Sequence, residues 1–139
     1  MMRRRLLVLG MVLLTWGAAR CEEKPWSVTV STFGGITGGG SGTTIYSDGR
    51  VEKSSWSTAG APRKTALGGR VTPAALVGLK KILTSADLVA LQCNNPHNMT
   101  TELAFVEKGG AKRTYKWPAM STPPAPLDRA YRAVLEAAR

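Results

Sequence analysis

Residues 26–49 read WSVTVSTFGGITGGGSGTTIYSDG, and this run decides the architecture. In Trp26 to Phe33, Val28, Val30 and Thr32 alternate with Ser27, Thr29 and Ser31. That period of two marks a half-buried strand with one polar face. Thr43 to Ser47 is rich in β-branched residues and reads as a second strand. Asp48-Gly49 is a two-residue hairpin signal, and Arg50 to Trp56 returns as a third strand. Between the first two strands, Phe33 to Gly42 carries six glycines in ten residues. Such a loop can set backbone N–H and C=O groups against a partner with no side chains in the way. It serves equally well as a flexible hairpin connection.

Downstream, Ser57 to Arg70 holds Gly60, Pro62, Gly68 and Gly69 among polar residues and reads as an exposed, poorly ordered connection, in which Ala61-Pro62-Arg63-Lys64 is either a recognition loop or a solvated linker. Thr72-Pro73 then starts a helix, with threonine as N-cap and proline at the first helical position. Leu76, Leu79 and Leu83 form its apolar stripe, widened by Val77 and Ile82. Ser85 to Leu88 looks like a restart. Gln92 to Met99 is a polar loop, and Asn98-Met99-Thr100 matches the N-glycosylation sequon. Thr100 to Lys108 and Ala111 to Trp117 form a second hairpin around Gly109-Gly110. Leu127 to the end is a closing helix with Leu127, Ala130, Tyr131, Val134 and Ala138 on one face. The expected fold is therefore α+β: an antiparallel sheet of four to five strands, order β-β-β-α-β-β-α, with two amphipathic helices on one face.

The chain has 139 residues and a formal net charge of +10. Residues 1–19 read as a secretory signal peptide, leaving 20–139 as a single domain. Arg3, Arg4 and Arg5 make the basic region, Leu6 to Trp16 the apolar run, and Gly17-Ala18-Ala19 the small residues before a cut. The apolar run falls short of the roughly 20 residues that a membrane span needs. Without its three arginines the remainder has 16 basic and 9 acidic residues, or +7. The expected location is secreted or periplasmic. Lys108, Lys112, Arg113 and Lys116 cluster, either as a solvated strand face or as the patch by which a non-enzymatic envelope or extracellular structural domain, the alternative reading of the chain, binds an anionic surface partner. Export and the lack of a nucleic-acid motif disfavour nucleic acid. Cys21 and Cys93 are the only cysteines. In an oxidising compartment they form one disulfide, stabilising by about 4–5 kcal/mol in the chain-entropy model. The alternative is a lipidated Cys21, against which Arg20 stands where a small residue is wanted.

Enzyme chemistry finds little to use. His97 is the single histidine, which excludes multi-histidine zinc sites, and the cysteines lack ligand spacing. No nucleophile elbow is present. The glycine loop lacks the Gly-Lys-Ser/Thr ending of a P-loop, and a strand follows where a dinucleotide fingerprint needs a helix. The expectation is a non-enzymatic domain without cofactor or metal. Trp26, Trp56 and Trp117 stand at strand ends. Core packing accounts for some of them, and Trp56 on the open face near the loop would anchor a protein partner.

Phe33-Gly34-Gly35-Ile36-Thr37-Gly38 resembles the S-G-G-hydrophobic-x-G segment after the first strand of emfourin-type proteins, small bacterial inhibitors of protealysin and other thermolysin-like metalloproteases. Val71 to Leu76 with Ser85-Ala86-Asp87-Leu88 is similar to that family's L-x-x-L…A-D-F helix. Thr101 to Trp117 is similar to its Gly-Gly hairpin, and Pro126 to Leu135 to its closing helix. A related small secreted domain of unknown function has the same Asp-Gly hairpin. The chain departs from the family in its signal peptide, its two cysteines, its longer glycine run and Phe33 in place of serine. The resemblance implies inhibition of a metalloprotease by steric contact. The expected contact residues are Phe33, Gly34, Gly35, Ile36, Thr37, Gly38 and Trp56, with Gly39 to Gly42 as slack between strands.

Overall fold

The computed structural model describes residues 24–110 and 112–139. In chain order the elements are β1 (Trp26–Gly34), β2 (Gly38–Tyr46), β3 (Arg50–Thr58), β4 (Lys64–Arg70), α1 (Pro73–Leu83), α2 (Ala86–Ala90), β5 (Met99–Glu107), β6 (Arg113–Pro118) and α3 (Ala125–Ala137). All strand pairs are antiparallel, in the spatial order β4-β3-β2-β1-β5-β6. The α+β architecture is as expected, but the sheet has six strands and the described residues hold three helices. No described helix is long and apolar enough to cross a membrane.

The additional strand is β4, which falls in the stretch expected to be a disordered connection. It pairs with β3 from Arg50↔Arg70 to Ser55↔Lys64. Its side chains are exposed or nearly so on both faces, so the alternation that betrays a half-buried strand never develops. The pairing rests on the backbone. A register shift at Val51/Glu52, opposite Gly68, bends this outer strand, a common way of blunting a sheet edge. The opposite edge is covered: residues 93–95 run parallel beside β6, Lys116 N–H donating to Cys93 O at 2.9 Å and Asn95 N–H to Lys116 O at 2.9 Å.

Side chains alternate across the sheet, so the register sorts them into two faces. Val28, Val30, Ile45, Val51, Leu103, Phe105, Tyr115 and Trp117 point to one face and are buried. Leu79 and Leu83 of α1, Leu88 of α2, and Leu127, Ala130 and Val134 of α3 close over them. Each fully buried side chain of this kind contributes roughly 1.5–3 kcal/mol. Thr72 caps α1 as expected, its Oγ1 accepting from Ala75 N–H at 3.3 Å. Tyr131 meets Trp117 edge-on, with ring centroids 5.4 Å apart.

Arg113 locks the first two helices to β6. Its Nη2 donates to Leu83 O at 2.6 Å and its Nη1 to Tyr115 Oη at 3.1 Å. The Tyr115 hydroxyl donates onward to Leu88 O at 2.8 Å. The cation thus sits where α1 ends, a favourable place for positive charge. Tyr115→Phe leaves Leu88 O and one Arg113 N–H without this partner. It is expected to lower stability by about 1–2 kcal/mol in urea unfolding. A loss indistinguishable from zero would show that water replaces the hydroxyl.

Candidate functional site

The glycine stretch divides between turn and strand. The turn is Gly35-Ile36-Thr37, and Gly38 already belongs to β2. Gly39, Gly40 and Gly42, expected as slack, lie inside that strand, with Gly40 opposite Phe33 and Trp56 and Gly42 opposite Ser31 and Ser54. At Gly40 a Cβ would lie 2.4 Å from Thr32 O and 2.8 Å from Cζ2 of Trp56. The missing side chain lets the indole rest against the sheet.

The tip is braced from both sides. Gly35 N–H donates to Asn98 O at 2.8 Å, Ala59 N–H donates to Thr37 O at 2.9 Å, and Gly38 N–H closes the turn on Gly35 O at 3.3 Å. Ile36 at its apex is fully exposed. Met99, paired with Gly34, is partly exposed beside it. Met120 is exposed just past Ala119, whose N–H donates to Met99 O at 3.0 Å. Bare apolar side chains around one sheet end are the usual mark of a contact surface.

Among the described residues, no layer covers the face away from the helices. By register it carries Ser27, Thr29, Ser31 and Phe33 of β1, Glu52, Ser54 and Trp56 of β3, and Glu102, Ala104 and Val106 of β5. Trp56 is half-buried there, its Nε1–H donating to Gly38 O at 3.2 Å. The guanidinium of Arg63 lies over its ring, 4.3 Å from the centroid. Phe33, Gly38 and Trp56 therefore form one surface, while Trp26 and Trp117 belong to the core. Arg63, in the connection between β3 and β4, falls in the stretch Ala61 to Lys64, and its place over Trp56 depends on the pairing of the outer strand β4, which side-chain pattern does not reveal.

The basic cluster divides between the faces. Arg113 turns to the helices, where its guanidinium also lies 4.9 Å from the Phe105 ring centroid. Lys116 sits on the open face, paired with Glu102 at 3.5 Å. Lys108 and Lys112 are exposed. The signal segment and Cys21 lie outside the described residues. Cys93 is half-buried, its thiol donating to Lys116 O at 3.3 Å, and burial pushes its pKa up. His97 braces a turn through its backbone: its N–H donates to Thr100 Oγ1 at 2.9 Å, and that hydroxyl donates to His97 O at 2.8 Å. Among the described residues no group of three or more acidic, histidine or cysteine side chains is placed to hold a metal ion. No protein-family model matches the chain, and comparison with curated proteins finds no significant match.

Proposed function

We propose that this chain is an exported, non-enzymatic protein-binding domain, and that its partner is a thermolysin-like metalloprotease which it blocks by steric contact. The observation that carries this reading is Ile36, fully exposed at the apex of a hairpin held by backbone hydrogen bonds on both flanks. A bare apolar side chain on a held tip enters a cleft with little ordering cost, because the backbone is already fixed. Phe33 and Trp56 lie just behind the tip, and large aromatics in that position are the usual anchors of a protein interface. The resemblance of Phe33 to Gly38 to the emfourin segment selects the protease class.

The test is titration of a thermolysin-like protease with the protein, reading residual activity. Stoichiometric inhibition is expected. Ile36→Asp replaces the burial of one isoleucine with the desolvation of a charge, so it is expected to weaken inhibition at least tenfold to a hundredfold. Absence of inhibition at micromolar protein would remove the protease as partner. Unchanged inhibition by the Ile36→Asp variant would move the contact away from the tip.

A further inference from the structure

A trough runs along the open face beside β1, with a volume of about 450 Å³. Ser31 and Ala104 line it and are only 8% and 7% exposed, although no layer among the described residues covers them. They are sunk between taller neighbours, Trp56 towards one wall and Glu102 towards the other. Arg63 stands at the Trp56 end and Lys112 at the Val106 end. Trp56 is level with Phe33, through Gly40, and Val106 with Ser27. Those levels are six residues of β1 apart, roughly 20 Å.

Three features restrict what the trough can hold. β1 is paired on both sides, so its backbone offers no ladder for an added strand. Recognition therefore falls to hydroxyls and charges. Glu102 is taken up by Lys116. Among the described residues, no carboxylate pairs with Arg63 or Lys112. The outer face of the Trp56 ring is occupied by Arg63, so that ring offers no platform for a sugar to stack on. The stack also holds the guanidinium in place while leaving its edge donors for a carboxylate.

We propose that this trough binds an extended acidic peptide segment of the partner protein, with carboxylates at Arg63 and Lys112 and the chain crossing Ser31. The proposal rests on the reading of the chain as a protein-binding domain and adds the partner's chemistry. The test uses the full chain and a fluorescein-labelled octaglutamate peptide, read by anisotropy. Saturable binding at low salt is expected, weakening towards about 0.15 M salt, where the screening length is about 8 Å. Arg63→Gln and Lys112→Gln are each expected to weaken it roughly twofold to fivefold, the range of a solvent-accessible ion pair. Lys53→Gln, on the other face, is expected to leave it unchanged. No binding at low salt, or equal loss in all three variants, overturns the proposal. Tighter binding of an oligouronate than of the peptide overturns it in favour of an acidic polysaccharide. Because Ile36 lies outside the trough, Ile36→Asp should leave peptide binding intact. Failure of the tip and failure of the trough are thus read separately.

Discussion

Phe105→Ala is expected to destabilise the protein by about 3–5 kcal/mol. The ring is 2% exposed, and its centroid is 5.9 Å from that of Trp26. The Arg113 guanidinium lies 4.9 Å from the Phe105 ring centroid, so truncation removes buried area and also leaves that cation over a void. The sheet is paired through β1 and β5 on either side of Val28 and Phe105, so collapse of the backbone into the gap is restricted. At roughly 4 °C per kcal/mol for a domain of this size, the midpoint should fall by about 10–20 °C. Phe105→Leu, which keeps most of the volume, should cost less than about 1.5 kcal/mol. Urea unfolding of the two variants checks both numbers. A loss under about 1 kcal/mol for the alanine variant would mean that the core around β5 is far looser than its burial indicates.

Gly34→Ala is expected to cost about 2–4 kcal/mol, an unusually large effect for a residue at a strand end. Gly34 has φ +126°, a conformation that L side chains rarely adopt. Its Cβ would also sit 1.9 Å from Asn98 O, the carbonyl that receives the Gly35 N–H. Relief of the overlap therefore requires breaking one of the braces of the tip. Gly60→Ala is the comparison. Gly60 also has positive φ, +83°, but nothing lies within 4 Å of the added Cβ. Its cost should be only the conformational one, about 1–2 kcal/mol. Chemical denaturation of the pair separates strain from overlap. Equal losses would show that the Asn98 loop moves aside freely. The same Gly34 variant should also weaken any contact made by Ile36, because the tip loses its fixed position.

Much of the layer architecture was legible in the sequence, for a physical reason in each case. Val28 and Val30 alternate with hydroxyl residues because one face of β1 is dry and the other wet. Thr72-Pro73 announces α1 because an N-cap and a proline at the first position satisfy or remove otherwise unpaired N–H groups. β4 was not legible, since KTALGGR buries almost nothing and is held by backbone pairing that leaves no trace in side-chain pattern. Gly39 to Gly42 misled for the opposite reason. Glycine there marks close approach, of the Trp56 indole and of neighbouring backbone, rather than looseness. Phe33, Gly38 and Trp56 line one trough, whose extent was not legible because Arg63 and Lys112, 49 positions apart in the numbering, meet it only through the sheet order.

The position of β1 bears on the order in which the molecule can assemble. Its partner β2 follows within a few residues, but Trp26 pairs with Glu107 across most of the chain. The meander from β1 to β4 closes through short loops and can form early, whereas the β1–β5 ladder carries the entropy of a long closure. Until β5 docks, the strand that bears Phe33 has one unsatisfied flank, and Ser31 lacks its neighbour Glu102. The open face, with its trough and the Asn98 brace of the tip, is therefore completed late, in the same step that makes the sheet whole.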